Sequence, residues 1–408
     1  MGFLTSFLFN RLFIALNDEV FQIRELAIQI IAKLTNHNPA YVLPSLRKKL
    51  IEVLLDLEYT SDGYSKEESA KLLAYIISAS GRLIHPYVDY ILKQILPNLK
   101  DPSPRVSTCI LKALGELTQV AGKDLAPYMT RLLPILIDTI QDQSSDSKRF
   151  AAYRTLGQLI FHSGYVIVPF VKHPRLLDII VTSINSEKSP PVRQEIVKVL
   201  GIIGAVDPYR HKMLTLKARL PQVKEEGGGD KAEYVSMEES KMAEAGAAEE
   251  GAGQGEMEGD DEESGLDLRL TSEDYYPTVA IYSLMRIMKD PSLSMHHTSV
   301  AQAVMYVFKS LGLKCTAFLP KVMPHFFHVM RTCDLQRRQF LFQQLGVLVS
   351  IIKQYIREYL PTILELIHEY WESSLILQVH RKLLSLSYSS LFSCALGLFF
   401  FLVFNMII

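Results

Sequence analysis

An all-α chain, built as an elongated α-solenoid of stacked helical hairpins, is the fold class that this 408-residue sequence predicts. Three observations predict it. Segments with apolar residues at i, i+3, i+4 and i+7 follow one another along the chain, each with a single stripe. Sequence markers return at intervals of about 40 residues, which is the sign of an internal repeat. No run alternates apolar and polar residues between Asn-Gly or Asp-Gly turns, so no sheet is expected. Two helices with one stripe each cannot bury both stripes alone. Stacking successive pairs buries them and makes the molecule long.

The units follow in order. Residues 12–57 open the array. Its second helix starts at Ala40-Tyr41-Val42-Leu43-Pro44; Leu43, Leu46, Leu50, Val53, Leu54 and Leu57 form the stripe, and Arg47, Lys48, Lys49 and Glu52 the wet face. Residues 64–100 carry the matching step His85-Pro86-Tyr87-Val88. Residues 101–142 start at Asp101-Pro102-Ser103-Pro104, where proline fits in or before a first turn, and continue with the stripe Val106, Ile110, Leu114 and Leu117. Units at 144–186 and 189–216 precede a break; 274–331 and 334–380 follow it.

Three markers set the period. Tyr41, Tyr87, Tyr128 and Tyr165 are 46, 41 and 37 residues apart. That spacing fits the ~40 to 47 of HEAT and armadillo units better than the ~34 of tetratricopeptide units. A basic residue near a helix start returns at Arg105, Arg149 and Arg193, each 44 residues from the last, with Arg24 as an earlier member. A Leu-Gly pair returns at Leu114-Gly115, Leu156-Gly157, Leu200-Gly201, Leu311-Gly312 and Leu345-Gly346. The prediction is therefore a HEAT/armadillo-type α-solenoid.

Composition sets the organisation around these units. Apolar residues at 48% and charged residues at 21% exclude wholesale disorder. The net charge of −1 hides an asymmetry, because residues 225–263 hold 15 Asp/Glu against 2 Lys, a balance of −13 that leaves +12 for the rest. The expected division is HEAT repeats over 1–216, an acidic disordered loop over 217–265, further HEAT repeats over 266–380 and an atypical apolar tail over 381–408. Met1 to Asn10 lack the basic start and cleavage pattern of a secretory signal. Four cysteines, Cys109, Cys315, Cys333 and Cys394, contain no C-x-x-C and fit a reducing compartment.

No catalytic, cofactor-binding or metal-ligating residue emerges. Gly251-Ala252-Gly253-Gln254-Gly255 has no strand before it and acidic neighbours that would repel phosphate. His368-Glu369-Tyr370-Trp371-Glu372 has Glu where a zinc-protease helix needs its second His. His325 with His328, and His296 with His297, have no carboxylate or cysteine cluster in sequence and read as capping or surface residues. The pattern G-x-S-x-G, a phosphate-loop lysine, H-R-D and D-F-G are all missing. Basic clusters are limited to Arg47-Lys48-Lys49 and Arg337-Arg338, so a nucleic-acid partner is not expected. Ser236 and Ser264 each have a carboxylate three residues on, in Glu239 and Asp267, and are candidate phosphorylation sites.

Longer strings go beyond a generic repeat. They are Ala15-Leu16-Asn17-Asp18-Glu19, Thr155-Leu156-Gly157-Gln158-Leu159 with Gly164-Tyr165-Val166, Asp207-Pro208-Tyr209-Arg210-His211-Lys212, His296-His297-Thr298, Phe308-Lys309-Ser310-Leu311-Gly312-Leu313-Lys314-Cys315 and Phe340-Leu341-Phe342-Gln343-Gln344-Leu345-Gly346. In these, from about residue 12 to about residue 372, the chain resembles the N-terminal helical region of target-of-rapamycin (TOR) serine/threonine protein kinases. The resemblance implies a non-catalytic scaffold without a kinase domain, supporting dimer assembly with a second TOR chain and docking a regulatory subunit of the TOR complex, in growth and nutrient signalling. It implies a cytoplasmic site, including endomembrane surfaces. No catalytic residue carries over, because none of the kinase motifs has a matching position, and no cofactor is implied.

After Trp371 the chain departs from that pattern. From Leu383 to Ile408 no residue is charged, and Leu391 to Ile408 is near the minimum length for a bilayer span. The expectation is a truncated product, from a retained intron or an incomplete gene model. The alternative is an independent truncated HEAT-type adaptor anchored in a membrane by this tail.

Overall fold

The computed structural model describes residues 11–35, 39–206 and 274–370. Met1–Asn10, the acidic run with Ser236, Ser264 and the Gly251–Gly255 string, and the apolar tail lie outside these residues. Among the described residues all regular structure is helical. The long helices are α1 (Phe21–Thr35), α2 (Pro39–Tyr59), α3 (Gly63–Ala79), α4 (Val88–Asn98), α5 (Pro104–Ala121), α6 (Met129–Gln141) and α7 (Asp146–Ser163). They continue with α8 (Arg175–Ser186), α9 (Pro190–Gly204), α10 (Tyr275–Lys289), α11 (His297–Leu311), α12 (Leu319–Thr332), α13 (Leu335–Ile352) and α14 (Leu360–Glu369).

The helices form two layers. Odd-numbered helices pack side by side in chain order from α1 to α13, and even-numbered helices cover them. The expected stripes are the buried faces: Leu46, Leu50, Val53, Leu54 and Leu57 on α2, and Val106, Ile110, Leu114 and Leu117 on α5. One continuous apolar core runs from Leu16 to Ile367 through both layers. The α-solenoid expected from the stripes is the fold observed.

The hairpins, however, are out of phase with the units read from sequence. Each even helix joins the following odd helix by a short turn and packs on it, as in α4–α5, α6–α7 and α8–α9. Asp101-Pro102-Ser103-Pro104 therefore lies inside a hairpin instead of starting one. The expected unit 274–331 contains three helices, α10, α11 and α12. The turns carry the reason: a carboxylate accepts a backbone N–H two residues on, from Val20 to Asp18, Ser103 to Asp101, Ser144 to Asp142, Ser189 to Glu187 and Ser292 to Asp290, each 2.9 Å. Such turns stop one helix and admit the next at once.

Four connections from one hairpin to the next hold 3-10 segments closed by an aromatic, His85–Tyr87, Gly122–Tyr128, Gly312–Phe318 and Lys353–Tyr359, whereas the one after α7 holds a short α-helix, Val168–Lys172. Three open at positive φ, at Gly122 (φ 52), Gly312 (φ 58) and Lys353 (φ 50). Leu311-Gly312 is thus a helix end, unlike the other Leu-Gly pairs, which lie within helices. In chain order, residues 207–273 connect α9 to α10.

Candidate interaction surface

Packing between successive odd helices is set by small residues. A Cβ on Gly115 would lie 2.2 Å from Gln158 Oε1, and one on Gly157 would lie 3.3 Å from Val199. On α9 the neighbours come from beyond the insertion: a Cβ on Gly201 would meet Ala303 Cβ at 3.1 Å, and one on Gly204 would meet Ala280 Cβ at 2.7 Å. Helices α9, α10 and α11 are therefore one packed body, with Gln194 bonded to Ser299 and Ser310 to the carbonyl of Ala205.

The second device is basic. The last carbonyls of a helix are left without partners and need donors, and cations there also meet the negative end of the helix dipole. The fourth residue of an odd helix supplies them. Arg24 donates to Asp18 O at 2.7 Å; Arg149 to Asp142 O at 3.3 Å; Arg193 to Ile184 O at 3.2 Å and to Glu187 O; Arg338 to Met330 O at 2.9 Å and Cys333 O at 2.7 Å. Lys66 holds the same position on α3 and pairs with Asp101 at 3.4 Å. On α11 the first residue, His297, takes the role, with Nε2 at 3.1 Å from both Ile287 O and Asp290 O.

The sequence series is thus corrected. Arg24, Arg149 and Arg193 belong to it, but Arg105 is the second residue of its helix and exposed, and Ser107 stands in the fourth place. Arg338, Lys66 and His297 were missed because insertion and residue type break the 44-residue spacing. Arg149 is the most deeply held member, bidentate to Glu187 at 3.1 Å for each bond, with side chains 5% and 6% exposed.

The other sequence candidates have internal roles. Lys48 and Lys49 pair with Glu52, and Arg47 lies over the Tyr87 ring. Arg337 pairs with Asp334, and Arg338 stacks 3.8 Å from the Tyr370 ring centroid. His296 is buried, and its protonation is pushed down by burial first, then by Arg193 and His297. His325 is likewise held below its usual range, by burial and then by Lys289 and His328. Among the described residues no group of three His, Cys, Asp or Glu could hold a metal, and no helix is long and apolar enough to cross a membrane.

A continuous two-layer stack stitched by cation–carbonyl caps, with its polar helix faces turned outward, defines a helical-repeat scaffold. Importin beta shares this fold, with a TM-score of 0.60 and 10% identity, covering 93% of this chain and 49% of that one. A family model described as "Serine/threonine-protein kinase mTOR domain" matches residues 166–353, and one described as "Dynein axonemal assembly factor 5-like, TPR repeats" matches residues 2–205. The chain is 42% identical over 360 residues to Serine/threonine-protein kinase TOR2 of Saccharomyces cerevisiae, covering 88% of this chain and 13% of that protein. It is 39% identical over 378 residues to Serine/threonine-protein kinase mTor of Drosophila melanogaster, covering 90% of this chain and 14% of that protein. Dynein axonemal assembly factor 5 of Xenopus laevis is 26% identical over 214 residues, covering 49% of this chain and 24% of that protein.

The greater identity over the greater length decides between the two families: the chain belongs to the target-of-rapamycin kinase family. It spans 13% and 14% of the length of these two curated relatives, and the part it matches is helical repeat, not kinase domain.

Proposed function

We propose that this chain is a non-catalytic scaffold that docks a regulatory subunit of the TOR complex and supports assembly of two TOR chains in growth and nutrient signalling. The observation that carries the reading is the seam of odd helices running from α1 to α13 without interruption at residues 207–273. A stack held together on its inner faces leaves its outer helix faces and hairpin edges free for protein partners, and that is how solenoids bind. In this reading 1–216 and 266–380 work as one array, with the acidic run of 217–265 and the apolar tail of 381–408 set apart from it. The site of action is the cytoplasm and the endomembrane surface.

Exposed aromatic and aliphatic residues mark where such contacts would concentrate. Tyr59, Tyr64, Phe161, Leu313 and Tyr355 are each at least half exposed. Large rings of this kind dominate binding energy when a partner covers them. The test uses the purified full chain and a purified regulatory subunit, read by size exclusion and mass photometry. A complex of defined stoichiometry is expected, weakened by Phe161→Ala or Tyr355→Ala. Separate elution of the two proteins at concentrations where the intact kinase holds the subunit would contradict the reading.

A further inference from the structure

Several cations near the turns and seams of this array have a carboxylate partner. Arg24 pairs with Glu68, Lys66 with Asp101, Lys71 with Glu67, Lys148 with Asp142, Lys198 with Glu195 and Arg331 with Glu365. Arg286 and Lys289 on α10 and Lys321 on α12 are cations of the other kind, and they lie on two adjacent helices. All three are exposed, their helices are neighbours in the even layer, and none forms an ion pair with a carboxylate among the described residues. The Lys321 ammonium sits 3.8 Å from the Tyr282 ring centroid and donates to its hydroxyl, which joins the two helices into one ridge. The charge of Lys289 also reaches α12, where after burial it helps hold down the protonation of His325.

Stability explains part of this cluster. Arg286 and Lys289 lie in the last turn of α10, where the helix dipole favours cations. Lys321 lies in the first turn of α12, where the dipole disfavours one, and the Tyr282 ring is the only compensation it has among the described residues. Asp290, next to Lys289 in sequence, is engaged with the backbone of Ser292. The ridge is a concentration of positive charge with no carboxylate partner among the described residues.

We propose that the Arg286–Lys289–Lys321 ridge is a docking surface for an acidic polypeptide, and that its occupant is the run of residues 225–263 of the same chain. Charge complementarity is direct, since that run carries a balance of −13 while the rest of the chain carries +12. Chain connection also favours it, because the run leads into α10 itself. Residues 264–273 can span up to about 33 Å, whereas Arg286 lies only about 18 Å along α10 from Asp274. The proposal does not depend on which partner the scaffold docks.

Zero-length carbodiimide cross-linking of the intact chain, read by mass spectrometry, tests it. At low salt, carboxylates of 225–263 are expected to link to Lys289 and Lys321 in preference to Lys48, Lys112 or Lys309. The yield should fall at about 0.5 M salt, where screening shortens to about 4 Å. Arg286→Glu leaves both target lysines in place and should lower the yield at least about five-fold through like-charge repulsion. Equal links to lysines throughout the array, or an unchanged yield in Arg286→Glu, would overturn the proposal. In a mixture of isotopically light and heavy protein, links found only between copies would overturn the assignment to the same chain.

Discussion

Lys353 offers a sharp physical test, because a lysine stands where two other connections use glycine. Its backbone lies at φ 50 and ψ −115, against 52 and −118 at Gly122 and 58 and −131 at Gly312. A side chain in that region costs about 1 to 3 kcal/mol. Glycine removes the strain but gives the unfolded chain more freedom, a loss of about 0.5 to 1 kcal/mol. Lys353→Gly should therefore stabilise the α13–α14 end of the array by about 1 kcal/mol. The reverse change isolates the backbone, since a Cβ on Gly312 would meet nothing within 4 Å. Gly312→Ala should cost about 1 to 2 kcal/mol. Repeat arrays open locally, so amide hydrogen exchange resolved by helix is the right assay. About 1 kcal/mol slows exchange through opening of α13 and α14 roughly five-fold. Unchanged or faster exchange in Lys353→Gly, together with an unaffected Gly312→Ala, would refute the argument that positive φ is strained here.

Three further outcomes are expected. Arg149→Ala leaves Glu187 buried without its partner and should cost about 3 to 5 kcal/mol in urea unfolding, whereas Arg105→Ala should stay within about 0.5 kcal/mol; equal effects would dissolve the distinction between them. Gly204→Leu drives a side chain into Ala280 and Val307, which a Cβ alone would approach to 2.7 and 3.0 Å. Its cost should be about 2 kcal/mol or more, with faster exchange in α9, α10 and α11 and little change in α3. Stability should fall as pH drops below 6.5, the ordinary value for the histidines, because His162, His296 and His325 are all held lower in the fold, mainly by burial. The unfolded chain then binds protons that the folded one refuses, so stability rises with pH through that window. His296→Gln should flatten the slope, as measured by urea midpoints between about pH 5 and pH 7.

The architecture was legible because burial writes itself into sequence at helical spacing: Leu46, Leu50 and Leu54 could face the core on one helix only in that order. The phase of the hairpins was not legible. Asp101-Pro102-Ser103-Pro104 stops one helix and starts another, and a stop signal does not say whether the two helices it separates are partners. The basic series misled at Arg105 for a related reason. Equal spacing in sequence placed it two residues too early on its helix, and at a spacing of 100° per residue that turns a side chain from the preceding carbonyls to solvent. Arg338 and His297 act by geometry that only the folded turns provide. The unpaired state of Lys321 was equally hidden, since pairing depends on which helices become neighbours.

Cleavage within residues 217–265 tests most directly whether the chain presents one continuous surface. The acidic run of 225–263 holds two residues that trypsin recognises, Lys231 and Lys241. The close packing of Gly201 and Gly204 on Ala280, Ala303 and Val307 predicts that the two pieces elute together on size exclusion at the position of the uncut chain and part only in denaturant. Separation of the pieces under native conditions would contradict the single array on which the scaffold reading rests.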